Sequence, residues 1–213
     1  MTKEDVMSDW EESWSSFEGH RKLGNFFLKN ARNIALRVID NTGDFKHRKP
    51  RIIDIGCGAG DTIYKFKQFG YKNIIGIDYA QSSILLCQRN GLKINEYVFQ
   101  MDAFKTKFEA NSFDIVFSEG LLEHFDDFYP IVKEMCRISK MYVLVIQPNH
   151  YSSFKKISDL YYFIFSNKNN VKEYTYCLNE FQNSFREFGF TLDKKETSLL
   201  GAFWILLFKR QSL

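Results

Sequence analysis

Residues 51–61 have the sequence RIIDIGCGAGD, in which a short apolar run leads directly into three closely spaced glycines at positions 56, 58 and 60. Because glycine has no Cβ, these positions allow a tight turn and let the backbone approach a ligand closely. A helix is expected over 61–69, and its first N–H groups would face the turn. The stretch therefore predicts a strand–turn–helix unit that binds a nucleotide-type cofactor at the carboxyl end of its strand.

The residues that follow this stretch alternate short apolar runs with helical patterns. The runs are continuous, as in VLVI at 143–146, which is typical of strands covered on both faces. Repeated β-α-β units of this kind predict a parallel sheet with right-handed crossovers. The expected strands are 51–55, 73–78, 94–99, 113–118 and 141–147, and the expected helices are 61–69, 82–90 and 127–139, the last capped by Asp126 with Pro130 in its first turn.

The two ends of the chain depart from this rhythm. An amphipathic helix is expected from His20 to Asp40, and an extra helix over 151–166. Near the C-terminus, apolar spacing predicts a helix closed by Gly189. Two strands, 190–197 and 202–209, then predict an antiparallel hairpin around Gly201.

The length of 213 residues suits one domain, and no repeat or low-complexity linker divides it. Within that single domain we distinguish four parts by their patterns. They are an N-terminal helical cap (1–44), a cofactor-binding core (45–149), an insert or lid (150–172), and a terminal helix with a β-hairpin (173–213).

The spacing of the glycines narrows the class of cofactor. A dinucleotide fingerprint would place a third glycine where this chain has Asp61, and a carboxylate at a helix start would repel a pyrophosphate. A Walker loop is excluded because no Gly-Lys-Ser/Thr follows. Asp78 ends the second expected strand, where a carboxylate can accept both hydrogen bonds of a ribose diol. Together these features favour an adenosyl cofactor that carries no pyrophosphate.

The glycine turn, Asp78, the sequence MDAF at 101–104 and the sequence FDIVFSEGLLEHF at 113–125 together resemble a class I S-adenosylmethionine-dependent methyltransferase. The similarity is to the broad small-molecule branch, of the methyltransferase type 11/12 kind, and it covers about residues 45–150. It implies an α/β fold that is Rossmann-like, with a seven-stranded, mostly parallel sheet, an antiparallel C-terminal hairpin and helices on both faces. It also implies S-adenosyl-L-methionine as the cofactor and a small molecule as the substrate.

The resemblance further implies a role for each matching residue. The methionine part of the cofactor would lie along the glycine turn, the ribose on Asp78 and the adenine between the ends of the second and third strands. Asp54, Gly56, Cys57 and Gly58 would line the methionine; Asp78 would bind the ribose with Tyr79 beside the adenine; Asp102 and the Ala103 N–H would bind the adenine; Ser118 and Glu119 would lie below the amino group, with Leu121 closing the pocket.

Methyl transfer from a sulfonium is an in-line displacement, so alignment of the acceptor and exclusion of water are its main requirements. A general base is needed only where the acceptor must lose a proton, and His124 is the candidate catalytic residue. An apolar or aromatic acceptor is expected, because aromatic segments stand on either side of the core. These two segments are expected to cover the acceptor. They contain Trp10, Trp14, Phe17 and His20 at the N-terminus, and Phe154, Ile157, Tyr161, Tyr162 and Phe165 in the insert.

Composition sets limits on partners and location. The net charge is only +3 and the basic residues are scattered, so no nucleic-acid partner is expected. Four widely spaced cysteines form no Cys-x-x-Cys pair, which argues against a metal site and against a disulfide framework. No signal-peptide pattern and no run of about 18 apolar residues occurs, so no transmembrane segment is expected and the protein is predicted to be cytoplasmic.

Other functions compatible with parts of the pattern remain open. A non-catalytic S-adenosylmethionine-binding protein, or a subunit that stabilises a partner, would carry the same cofactor residues. An RNA or protein methyltransferase is disfavoured because residues 118–121 are SEGL rather than an Asn/Asp-Pro-Pro-Tyr-type segment. An NAD-dependent oxidoreductase is disfavoured by Asp61 and by the terminal hairpin. The insert, with Lys155 and Lys156 among aromatic residues, is also compatible with a membrane-surface helix.

Overall fold

A computed structural model of the chain describes residues 3–15, 22–45, 49–153 and 172–211. The helix that the sequence predicts over 151–166 lies almost wholly outside the described residues, as do Phe17, His20 and the aromatic residues of the insert. No helix within the described ranges has the length and apolar character needed to cross a membrane.

The architecture is a seven-stranded sheet with the order β3-β2-β1-β4-β5-β7-β6. The first five strands in this order pair in parallel, whereas β7 runs antiparallel to β5 and to β6. The strands are β1 (Ile52–Ile55), β2 (Ile74–Asp78), β3 (Val98–Gln100), β4 (Phe113–Glu119), β5 (Ser139–Pro148), β6 (Phe190–Thr197) and β7 (Phe203–Arg210). The predicted α/β fold with its antiparallel C-terminal hairpin is confirmed.

Helices cover both faces of the sheet, and each face has its own apolar layer. Residues of α2, α3 and α4 pack on one face, which we call the α2 face, and residues of α5 and α6 pack on the other, the α5 face. Successive residues of a strand alternate between these layers, as in Ile52 on the α2 face and Ile53 on the α5 face. The helices are α1 (Lys3–Ser15), α2 (Lys22–Asp40), α3 (Asp61–Gln68), α4 (Gln81–Arg89), α5 (Tyr129–Ile138) and α6 (Leu178–Glu187).

The third strand and one helix cap differ from the prediction. The strand expected over 94–99 forms only at Val98–Gln100, because Asn95 has a positive φ of 61° and turns the chain just before it. The expected cap Asp126 instead accepts from the N–H of Asp127, and the carboxylate of Asp127 accepts from the N–H of Tyr129 at 3.0 Å, where α5 begins. The N-cap position is Phe128, which makes no side-chain capping bond, so the expected capping by Asp126 is wrong.

The first helix, α1, lies across the carboxyl edge of the sheet. Val6 is buried in the layer of the α5 face, while Glu11 holds the start of α4 on the other side of the edge. There the Glu11 carboxylate accepts from the Ser82 N–H at 3.0 Å, and the Ser82 hydroxyl donates to the Glu11 carbonyl at 3.2 Å. The chain thus places a helix over the edge at which the glycine turn lies.

Candidate functional site

The glycine turn is built as the sequence predicts, between β1 and α3. Gly58 and Gly60 have positive φ values of 49° and 82°, which residues with a Cβ rarely adopt. A Cβ at Gly60 would approach the Leu92 side chain to 2.4 Å, so this position has no room for one. The N–H groups of Gly56 and Cys57 both donate to the Ile77 carbonyl at 2.9 Å, which ties the turn to the end of β2.

Asp78, the last residue of β2, lies directly against this turn. One carboxylate oxygen accepts from the Gly58 N–H at 2.9 Å and the other accepts from the Ala80 N–H at 3.0 Å. Burial raises the pKa of Asp78, and the two N–H donors oppose that rise. Each carboxylate oxygen has a second lone pair, so the same group can accept two further hydrogen bonds from a ligand diol.

On the α2 face, three carboxylates surround one guanidinium at the carboxyl edge. Arg32 donates to Glu119 through Nε at 2.8 Å and through Nη2 at 2.7 Å, a bidentate pair. Its Nη1 lies 3.6 Å from Asp61, and Thr62 donates its hydroxyl to Glu119 at 3.3 Å. Together with Asp54, which interacts electrostatically with both Arg32 and Glu119, these groups form what we call the acidic cluster.

Asp54 is the most deeply buried carboxylate of this cluster, with 2% of its surface exposed. Burial raises its pKa well above the ordinary value, the negative charge of Glu119 raises it further, and Arg32 opposes both. Three carboxylates against one guanidinium leave the acidic cluster with an excess of negative charge. The cluster can therefore stabilise a cationic ligand at the edge, and it would repel a pyrophosphate.

Two other predicted residues, and Cys87, which the sequence reasoning missed, help to hold the turn in place. The Ser118 hydroxyl donates to the Ile55 carbonyl at 2.9 Å, and Leu121 lies against Gly56, 3.1 Å from where a Cβ would stand. The Cys87 thiol donates to the Gly58 carbonyl at 3.0 Å. The pKa of Cys57 is raised well above its usual range, mainly by a hydrogen bond with Cys87 and in addition by burial. This thiol is therefore a packing group rather than a nucleophile.

The predicted adenine end lies where β2 and β3 finish. Tyr79 is 49% exposed, and its carbonyl accepts from the Gln100 side-chain amide at 3.0 Å. The Asp102 carboxylate accepts from the Phe104 N–H at 2.9 Å, which fixes the loop after β3, and Ala103 is partly buried against the α5-face layer. Tyr79 and Asp102 thus stand at neighbouring strand ends.

His124 lies in a 3₁₀ turn, Leu122–His124, after β4, and its ring contacts both α1 and the chain beyond the insert. Its Nδ1 lies 3.0 Å from the Lys172 carbonyl, and because a carbonyl only accepts, we assign the proton to Nδ1. Trp10 of α1 meets the imidazole edge to face, with ring centroids 4.9 Å apart. The neighbouring residues also join this segment to the chain beyond the insert, since the Tyr174 N–H donates to the Glu123 carbonyl at 2.6 Å.

Trp14 of α1 covers the glycine turn itself. Its six-membered ring lies so close to Gly58 that a Cβ there would approach to 2.6 Å, and it stacks on Trp10 at 5.8 Å. The sequence predicts the N-terminal aromatic residues as a cover for the acceptor. In the structure Trp14 lies against the predicted cofactor turn.

The structure brings most of the predicted residues to one edge, and it adds residues that the sequence reasoning missed. The predicted residues that meet at the ends of β1, β2 and β4 are Asp54, Gly56, Cys57, Gly58, Asp78, Ser118, Glu119 and Leu121. Arg32, Thr62 and Glu11 were missed. The only signal for Arg32 is its position in α2 between the buried Ala31 and Ala35, where a charged residue beside an apolar stripe suggests a buried partner.

The seven-stranded sheet with its antiparallel hairpin, the glycine turn after β1 and the acidic residue at the end of β2 match what the resemblance to class I methyltransferases implies. Residues 53–144 match the family model described as "Methyltransferase domain". A crystal structure of magnesium protoporphyrin IX methyltransferase from Synechocystis PCC 6803 with bound SAH has the same fold, with a TM-score of 0.69 and 12% identity over 97% of this chain and 95% of that one. The predicted resemblance to class I S-adenosylmethionine-dependent methyltransferases is therefore confirmed.

The chain is also similar in sequence to curated proteins. The ubiquinone biosynthesis O-methyltransferase of Neisseria meningitidis is 26% identical over 124 residues, which are 56% of this chain and 51% of that protein. An uncharacterized protein of Haemophilus influenzae is 30% identical over 133 residues, 60% of this chain and 50% of the relative. The chain thus spans about half the length of these relatives.

Proposed function

We propose that this chain transfers a methyl group from S-adenosyl-L-methionine to a small acceptor of apolar or aromatic character. The single observation that carries the proposal is the bond between the Asp78 carboxylate and the Gly58 N–H, at 2.9 Å. This bond holds Asp78, the residue proposed to bind the ribose, against the glycine turn proposed to bind the methionine part. Both lie at the carboxyl edge of the sheet, where ligands of such folds bind.

The charge of the site supports this cofactor rather than a dinucleotide. S-adenosylmethionine carries a sulfonium and an ammonium against one carboxylate, whereas a dinucleotide brings a pyrophosphate. The acidic cluster has three carboxylates and one guanidinium, Arg32, so it complements a cationic ligand. In the proposal the ammonium lies near Asp54 and Glu119, and Arg32 is the counter-ion for the cofactor carboxylate.

When bound, the cofactor supplies an electrophilic methyl group on a good leaving group. The residues of this chain would then bind and orient the cofactor and the acceptor, and they would exclude water. Asp78 would hold the ribose, the turn from Gly56 to Gly58 would support the methionine part, and the stacked Trp10 and Trp14 would keep solvent out.

A base is required only for acceptors that lose a proton, and His124 is the residue we propose for it. If the Nδ1 proton is donated to the Lys172 carbonyl, the lone pair of a neutral ring would lie on Nε2. We infer a reducing, cytoplasmic setting as well, since all four cysteines are free thiols and three of them are buried.

Thermal unfolding with and without ligand tests the proposal. At a ligand concentration of 100 times the dissociation constant, S-adenosylmethionine should stabilise the protein by about 2.7 kcal/mol, a shift of roughly 5–11 °C for this size. Asp78→Asn should remove most of that shift, whereas Asp193→Asn, an exposed site on β6, should keep it. Stabilisation by NAD and not by S-adenosylmethionine would refute the proposal.

Turnover distinguishes an enzyme from a protein that only binds the cofactor. Formation of the demethylated cofactor with a panel of phenols, amines and quinols should depend on the acceptor. Binding of S-adenosylmethionine with no turnover for any acceptor in the panel would instead favour the non-catalytic alternative.

A further inference from the structure

One polar side chain at the carboxyl edge has no partner, and the site described above does not use it. Gln147 is the last residue but one of β5 and is fully buried. Both its amide nitrogen and its amide oxygen are inaccessible to solvent and make no hydrogen bond. A primary amide can donate twice and accept twice, so a buried amide with no partner destabilises the fold. Native structures rarely keep such a group without a reason, and a polar ligand is one such reason.

The register of β5 places Gln147 on the α5 face, opposite to the acidic cluster. The strand pairs with β7 without interruption from Tyr142 to Pro148. Val143 and Val145 pack in the α5-face layer, and Gln147 is the next residue with the same orientation along the strand. The preceding residue, Ile146, belongs to the α2-face layer. The amide therefore lies on the face opposite to Glu119 and Arg32.

Aromatic residues lie on the strand beside this amide, and the end of β4 lies on its other side. Trp204 is the partner of Gln147 across the β5–β7 ladder, Tyr151 stacks on Trp204 at 6.2 Å, and Phe181 meets Trp204 edge to face at 6.5 Å. On the other side, the Gly120 N–H donates to the carbonyl of the residue before Gln147, at 3.0 Å. Gln147 thus stands beside the end of β4, from which Ser118 and Glu119 face the cofactor turn.

We propose that Gln147 is the residue that binds the polar group of the acceptor, and that the acceptor is a planar aromatic compound carrying a hydroxyl or carbonyl group. Tyr151, which is 57% exposed, offers a face for a flat apolar ring, and the amide of Gln147 offers a donor and an acceptor for the substituent. The amide selects such compounds because an unsubstituted ring would leave it unpaired. This inference rests on the proposed methyltransferase function and assigns the substrate class for the same site.

The test compares a hydroxylated aromatic compound with the analogue that lacks the hydroxyl group. Binding of 2-naphthol and of naphthalene is measured by calorimetry or fluorescence on the full chain saturated with S-adenosylhomocysteine. The wild type should prefer 2-naphthol roughly tenfold, which corresponds to about 1.4 kcal/mol. Gln147→Met, which keeps the length of the side chain and removes its polar atoms, should abolish the preference. Ile146→Val, a buried neighbour that faces the other side of the sheet, should keep it.

A second measurement separates this role from a structural one. The melting temperature of ligand-free Gln147→Met should equal or exceed that of the wild type, because no hydrogen bond is lost. Its shift with S-adenosylmethionine should be unchanged. Equal binding of both compounds by the wild type, binding of neither, or a preference that survives in Gln147→Met overturns the inference. If S-adenosylmethionine itself gives no shift in the wild type, the proposed function has failed instead.

Discussion

Arg32 offers the sharpest test of the acidic cluster, because it is the cation that the structure places among the three carboxylates. Its side chain is 14% exposed and that of Glu119 is 9% exposed, so the bidentate pair is largely shielded from solvent. In Arg32→Met the length of the side chain is kept and the charge is lost. Glu119, Asp54 and Asp61 would then face one another without a counter-ion.

The expected magnitude follows from this burial. Removing one partner of a buried ion pair destabilises a protein by about 3–5 kcal/mol, since the other charge stays buried and uncompensated. For a chain of this length each kcal/mol lowers the melting temperature by roughly 2–4 °C, so we expect a fall of about 6–20 °C. In the double variant Arg32→Met/Glu119→Gln both charges are gone, and the loss should be smaller than the sum of the two single losses.

Circular dichroism melts of the wild type, Arg32→Met, Glu119→Gln and the double variant, at neutral pH and without cofactor, measure both the destabilisation by Arg32→Met and its non-additivity with Glu119→Gln. Arg186→Met is the matched control, because Arg186 is exposed on α6 and its replacement should change stability by about 0.5 kcal/mol or less. The reasoning fails if Arg32→Met melts within the range of this control. It also fails if the losses of the single variants simply add in the double variant.

Two further predictions concern the same edge. Burial raises the folded-state pKa of Asp54, so its contribution to stability is fully present below the unfolded pKa of about 4 and is lost as the pH rises through the folded pKa. Asp54→Asn should therefore exceed the wild type in urea stability at pH 8, by a margin that shrinks toward pH 5, and a margin independent of pH would contradict this. Trp14 covers Gly58, so Trp14→Ala should bind S-adenosylmethionine several-fold faster in stopped-flow experiments, and an unchanged association rate would show that the ring does not gate the turn.

The fold could be predicted largely from the sequence because the parallel strands are buried on both faces. Continuous apolar runs such as that of β4 leave little choice of structure, and Gly189 ends α6 with the positive φ of 77° expected of a helix C-terminus. The third strand was less predictable. Its apolar residues do not show that Asn95 turns the chain before Val98, since a left-handed asparagine depends on local hydrogen bonding as well as on residue type.

Some contacts of the site could likewise be predicted from the sequence, and others could not. That Asp78 meets the glycine turn follows from topology, because the carboxyl ends of neighbouring parallel strands share one edge. The pairing of Arg32 with Glu119 joins residues 87 positions apart on a helix and a strand, and no periodicity links them. The sequence likewise shows a glutamine at the end of the β5 run, but only the packing around Gln147 shows that its amide has no partner.

The alternation of side chains along β4 and β5 would allow one sheet edge to bind both the proposed cofactor and the proposed acceptor. Glu119 shares the α2 face with Arg32, whereas Gln147 lies on the α5 face among aromatic rings. One face thus offers charge, which suits the cationic end of the proposed cofactor, and the other offers apolar surface with a single amide, which suits the proposed acceptor. Since the two sets share strands but not layers, substitutions on the α5 face can change the acceptor while the acidic cluster and the Asp78 contact stay intact. In the proposed reaction a methyl group passing over the end of β4 would cross from one environment to the other, which would place the reaction between the two layers rather than within either.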